Sequence, residues 1–140
     1  MNGIKRILLA VDESRHSDLV AEKAIEMARS FKAKVFLVYV HPIVLALGQP
    51  YYQQVLNKYL EHADHTVAPH KTVLEKNGLG FDVLILEGDP AEMIIETARV
   101  QKCDLIVMGS RGLSNILGLT LGSVSTKVLH SAQCMVLLVP

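Results

Sequence analysis

The chain has 140 residues, half of them apolar and a fifth charged, so it reads as a single globular domain over residues 1–140 with length enough for a proper core. Its formal net charge is zero, which argues against nucleic acid as the main partner, and no apolar run approaches the ~20 residues of a membrane span. The N-terminal apolar stretch is too short for a signal peptide and two cysteines make no disulfide framework, so the expected location is the cytoplasm.

Residues 7–11 (ILLAV) form an apolar run without alternation, as expected of a strand buried on both faces of a parallel sheet. Asp12, Glu13 and Ser14 break it. A helical stripe of Val20, Ala24, Met27, Ala28 and Phe31 follows, with Ser14 or Ser17 as its cap. Residues 34–41 (KVFLVYVH) read as a second buried strand. Residues 43–47 (IVLAL) sit between Pro42 and Gly48-Gln49-Pro50 and read as a loop, either a lid or a partner surface. From Tyr51 a long helix carries Tyr52, Leu56, Tyr59, Leu60, Ala63 and Val67 on one stripe. Pro69 predicts a kink or restart, and Asn77-Gly78-Leu79-Gly80 ends the helix.

Residues 81–86 (FDVLIL) read as a third strand, and Asp82 suits an edge. Asp89, Pro90 and Glu92 occupy the cap, first and third positions of a helix start, followed by an inward stripe of Ala91, Ile94, Ile95 and Ala98. Residues 105–108 form a fourth strand. After a glycine-rich loop, Leu121, Val124, Val128 and Leu129 mark the inward face of a last helix, and residues 134–139 (CMVLLV) form a fifth strand. Strands alternating with helices give a parallel sheet with helices on both faces, which takes ligands at the carboxyl ends of its strands.

The loop between the fourth strand and the last helix carries Gly109, Gly112, Gly118 and Gly122, then Ser123, Ser125 and Thr126. Glycines let backbone N–H groups approach a ligand, and those of a first helical turn point at an anion. This reads as a phosphate-binding turn; plain turn punctuation is the competing reading. The loop matches neither the Walker pattern nor G-x-G-x-x-G.

Asp12, ending the first strand, is placed either to bond a nucleoside or to cap the following turn. Val40 and Met108, at neighbouring strand ends, could wall an adenine pocket with Val40 backbone groups on the base edge. His41 reads as a strand-end histidine. His62 and His65 share a helix face but lack further ligands, so they and His70 read as a polar, solvated face and no metal is assigned. Cys103 and Cys134 read as buried structural thiols. No nucleophile–base pair or paired carboxylate can be assembled, so no catalytic residue is assigned.

Taken together, ILLAVDES, CDLIVMGSRG and GSVSTKVLHSAQCMVLLV resemble the universal stress protein family over nearly the whole chain. The spacing G-x-x-G-x9-G-S, carried here by Gly109, Gly112, Gly122 and Ser123, resembles the signature of its ATP-binding branch. The resemblance implies a Rossmann-like α/β fold, similar to the adenine nucleotide alpha hydrolases, with a doubly wound five-stranded parallel sheet of order 3-2-1-4-5. It implies that Ala10, Asp12, Val40 and Met108 face the nucleoside, and that Gly109, Gly112, Gly122, Ser123, Val124 and Ser125 hold phosphates.

ATP, ADP or AMP is the implied ligand, with Mg²⁺ alongside. The implied role is stress-response regulation through dimer or protein-partner contacts; a slow ATPase or nucleotidyl-transfer enzyme of similar fold is the alternative. Residues 115–119 (NILGL) lack the basic residue that family loops often carry, which leaves ATP against ADP or AMP open. If the fifth strand is an edge, Met135–Val139 is apolar enough to need covering, and a homodimer through it is expected.

Overall fold

The computed structural model describes residues 3–44, 49–110 and 122–140. The elements run β1 (Arg6–Ala10), α1 (His16–Phe31), β2 (Lys34–His41), α2 (Gln49–Lys76), β3 (Phe81–Glu87), α3 (Pro90–Val100), β4 (Leu105–Gly109), α4 (Ser123–Ser131) and β5 (Met135–Val139). The strands form one parallel sheet in the order β3-β2-β1-β4-β5, the expected topology, with β3 and β5 at its edges.

The continuous apolar runs are buried on both faces, as a doubly covered sheet requires. Ile7, Leu9, Val35, Leu37 and Val107 face α1 and α2, while Leu8, Phe36, Val38 and Ile106 face α3 and α4. Asp89 caps α3, accepting the Glu92 N–H at 3.0 Å, with Pro90 as the first helical residue. Cys103 is buried and Cys134 half-buried. Burial, and then the neighbouring Cys134, push the Cys103 thiol up to about 12, and burial also raises that of Cys134, so both stay protonated.

Several local expectations are corrected. Neither serine caps α1: its N-cap is Arg15, without a side-chain bond, and Ser14 and Ser17 turn to Asp12 instead. The buried stripe of α1 is Ser17, Val20, Ala21, Ala24, Ile25 and Ala28, with Phe31 exposed near the helix end. Pro69 does not interrupt α2, and Ala63, Val67, His70 and Leu74 keep one buried phase across it. Pro69 lies on the exposed side, so the His65 carbonyl that loses its helical donor there is on the face nearest water. His70, expected on a solvated face, is instead only 5% exposed, while His62 and His65 are exposed. Tyr52 and Leu60 of the expected α2 stripe are exposed, as is Leu129 of α4. Of residues 43–47, Ile43 is exposed and Val44 buried, whereas 45–47 lie outside the described residues, as do Gly118, residues 115–119 and Leu121.

Candidate functional site

The carboxyl ends of β1, β2 and β4 and the N-terminus of α4 surround a cavity of about 370 Å³. Ala10, Asp12, Val40, Met108, Gly109, Gly122, Ser123, Val124 and Ser125 all line it. Gly112 lies outside the described residues. The cavity opens where the winding of the sheet reverses, between β1 and β4, because β1 feeds α1 on one face and β4 feeds α4 on the other.

Val40 is exposed to this cavity because β1 is shorter than β2. The β1–β2 register ends at Ala10 opposite Val38, and the Val11 N–H then reaches the Val38 carbonyl at 3.0 Å. Beyond that point β2 continues beside β3 alone, with Val40 opposite Leu86. Its backbone on the β1 side therefore has no strand partner.

Asp12 is fixed by the turn that follows it. Its Oδ1 accepts the Ser14 N–H at 2.8 Å, the Ser14 hydroxyl at 2.5 Å and the Ser17 hydroxyl at 3.0 Å. The Asp12 N–H in turn donates to Ser17 Oγ at 2.9 Å. None of these bonds uses Oδ2, which retains its acceptor capacity at the cavity. Ser17 is buried, so the carboxylate orientation rests on an interior hydroxyl.

At α4, the Thr126 N–H makes the first helical bond, to the Gly122 carbonyl at 3.0 Å, and the Gly122 N–H is taken by Ser110 O at 2.8 Å. Among the described residues, the N–H groups of Ser123, Val124 and Ser125 have no acceptor and no side chain caps the helix. They are the orphan donors of a helical first turn, at the positive end of the helix dipole. The Ser125 hydroxyl donates to the Ser110 carbonyl at 2.6 Å and is buried, which leaves that residue its N–H as the donor toward the cavity. No lysine or arginine lines the cavity among the described residues.

Three further groups were not singled out by the sequence. His16 lines the cavity and donates through Nε2 to the Val139 carbonyl at 2.7 Å. Tyr39 donates its hydroxyl to Glu13 at 3.2 Å. Burial, then the Glu13 charge, push the tyrosine up to about 12, so it remains a neutral phenol. Ser110 joins β5 and α4, donating to Val139 and accepting from Gly122. The spacing of Ser17 from Asp12 held a signal, but one equally readable as a helix cap.

A model of the family described as "Universal stress protein family" matches residues 3–140. The chain is 40% identical over 137 residues to a Thermus aquaticus universal stress protein, covering 96% of this chain and 98% of the relative. The solved universal stress protein UspA of Lactobacillus plantarum superposes with a TM-score of 0.87 at 22% identity, covering 98% of each chain. That of Archaeoglobus fulgidus, in complex with dAMP, superposes with a TM-score of 0.71 at 21% identity over 100% of both chains. The matched family model, the Thermus relative and the sheet order agree, and the chain belongs to the universal stress protein family.

Proposed function

We propose that this protein binds an adenine nucleotide and acts in stress response as a regulator, with ATP as the ligand that changes its dimer or partner contacts. The observation that carries the reading is the N-terminus of α4, uncapped among the described residues, whose first turn lines a cavity walled on the other side by Asp12 and Val40. The cavity, about 370 Å³, is within the usual range for small-molecule sites. The Archaeoglobus relative, of the same fold, binds dAMP.

Phosphates would lie at Ser123, Val124 and Ser125, beside Gly109 and Gly122, with Gly112 completing the sequence signature. The nucleoside would lie against Ala10, Val40 and Met108, a ribose hydroxyl donating to Asp12 Oδ2. Mg²⁺ would travel with the triphosphate, coordinated mainly by it: no group of three or more His, Cys, Asp or Glu side chains is poised for a metal among the described residues. Hydrolysis should be slow, below the ~1 s⁻¹ of dedicated enzymes, because Glu13 is engaged by Tyr39 and no lysine or arginine lines the described cavity.

The test is calorimetry with ATP, ADP and AMP on the wild type and on Gly122→Val. Gly122 has φ −68°, which any residue adopts, so the variant should fold while its side chain blocks the phosphate approach. Unchanged affinity in the folded variant would overturn the site assignment.

A further inference from the structure

In this parallel sheet the helices run back against the strands, so every strand start and every helix end gathers at one edge, opposite the cavity. Lys5, Arg6 and Lys34 stand there at strand starts. Arg29, Lys32, Lys76, Arg99 and Lys102 stand at or just beyond helix ends. Against these eight cations the edge holds three carboxylates, Glu75, Asp82 and Asp104. With 14 basic and 14 acidic residues in the chain, the zero net charge is therefore a separation of charge. Five positive charges are in excess at the amino edge, and the rest of the chain carries the matching negative excess.

Two of the three carboxylates are already engaged. Asp104 Oδ2 accepts the main-chain N–H groups of Lys5 and Arg6 at 2.8 and 3.0 Å, and Asp82 pairs with Lys34 at 2.9 Å. Lys5, Lys32, Lys76 and Lys102 are exposed and have no ion pair among the described residues. Each helix also carries an exposed large apolar side chain in its last turn: Phe31, Val73, Val100 and Leu129.

The ends of α1 and α3 are built alike. Phe31 is followed by Lys32 at φ 55°, and Val100, after Gln101, by Lys102 at φ 55°. The Ala33 N–H returns to the Ala28 carbonyl at 2.9 Å and the Cys103 N–H to the Ala98 carbonyl at 2.8 Å, which tucks Ala33 and Cys103 into the core. Glycine takes such a left-handed position without strain, as Gly78 does after α2. Lysine there is strained, and the helix dipoles are already complemented within the last turns by Arg29 and Arg99. Because α1 and α3 lie on opposite faces of the sheet, the two turn tips flank the strand starts. Each holds out an unpaired ammonium beside an exposed apolar side chain. Nucleic acid would use the ammoniums and leave Phe31 and Val100 in water. An anionic bilayer uses both, the charges at its headgroups and the apolar tips at the acyl boundary.

We propose that the amino edge of the sheet docks on an anionic lipid bilayer, with Lys5, Lys32, Lys76 and Lys102 at the headgroups and Phe31 and Val100 inserted between them. The cavity at the carboxyl edge then faces away from the membrane. This inference does not rest on nucleotide binding.

The experiment is co-sedimentation of the full chain with vesicles of phosphatidylglycerol and phosphatidylcholine in equal parts, and with vesicles of phosphatidylcholine alone. Salt is held at about 0.1 M, where the screening length is about 10 Å. The expected result is saturable binding to the anionic vesicles, at least tenfold tighter than to the neutral ones. Lys32→Gly/Lys102→Gly should weaken it at least tenfold; glycine suits both φ values, so the variant should fold. Phe31→Ser, at an exposed position, should weaken it too. Lys58→Gln, an exposed lysine of α2 away from this edge, should bind as wild type does. No saturable binding to anionic vesicles, equal binding to neutral ones, wild-type affinity in the double glycine variant, or equal loss in Lys58→Gln would each overturn the proposal. Duplex DNA bound more tightly than anionic vesicles, with Phe31→Ser indifferent, would overturn it as well, by making the edge a nucleic-acid surface.

Discussion

His16 and Val139 are joined across 123 residues of sequence: the imidazole at the start of α1 donates to the main-chain carbonyl that ends β5, at 2.7 Å. The same carbonyl accepts the Ser110 N–H at 3.0 Å. Ser110 O in turn accepts Gly122 N–H and the Ser125 hydroxyl. The floor of the cavity and the end of the edge strand are thus one hydrogen-bonded unit. His16→Ala should lower stability by about 1 kcal/mol, the usual scale of one net hydrogen bond. Amide exchange at Ser110 should quicken with it; a protected Ser110 amide in the variant would show that the link carries no mechanical weight.

Asp12 and Ser17 form a reciprocal pair, so their replacements should separate recognition from positioning. Asp12→Ala should weaken nucleotide binding by ~1–3 kcal/mol, the cost of leaving polar contacts unpaired. Ser17→Ala keeps the carboxylate but releases it, and should give a smaller affinity loss together with a stability loss. Calorimetry and urea titration on both variants read the two effects; equal affinity across wild type and Asp12→Ala would remove Asp12 from the site.

The edge position of β5 makes self-association through Met135–Val139 testable, and the structure chooses the residue. Leu138 packs into the core on the α3 and α4 side, so a charge there would damage the monomer. Met135 is 55% exposed. Met135→Glu should shift a micromolar sample from dimer to monomer with unchanged far-UV circular dichroism, because a like charge would recur across the two-fold axis. Light scattering that finds the wild type already monomeric would refute the interface.

His70 should make stability pH-dependent. Burial holds its folded-state pKa below the ordinary 6.5. As pH falls, the unfolded chain takes up the proton first, so the stabilisation is fully present above about 6.5 and drains away as pH falls through the folded value. Asp18 and Asp12 pull the other way, and burial outweighs them. His70→Leu should therefore flatten the fall in urea midpoint below about pH 6.5; an unchanged slope would place the sensitive group elsewhere.

Much of the sheet was legible because both-face burial writes itself as unbroken apolar runs, and residues 34–41 were delimited to the residue as β2. The start of α3 was equally plain, since Asp89, Pro90 and Glu92 each occupy the one position their chemistry favours. Strand ends then follow from topology, which is why Asp12, Val40 and Met108 were brought to one cavity. Less legible were the roles of hydroxyls. A serine beside a helix start is compatible with capping it, and only the folded turn shows Ser14 and Ser17 spending their bonds on Asp12. His70 was misread because proline suggested an end to the helical phase, whereas the buried stripe passes through Pro69 unshifted. Leu129 was misplaced because α4 buries a narrower stripe than α1 does: Ser125 and Val128 lie inside, and Leu129 falls on its exposed flank.

The first-turn donors of α4 belong to the main chain, and no truncation of a side chain deletes them. A conventional alanine scan would pass over this region almost silently: Ser123→Ala keeps its N–H, and Val124→Ala removes only packing. The region is consequently permissive to drift in residue identity while its chemistry persists. Added bulk, or a proline that removes an N–H outright, is the perturbation that would expose it.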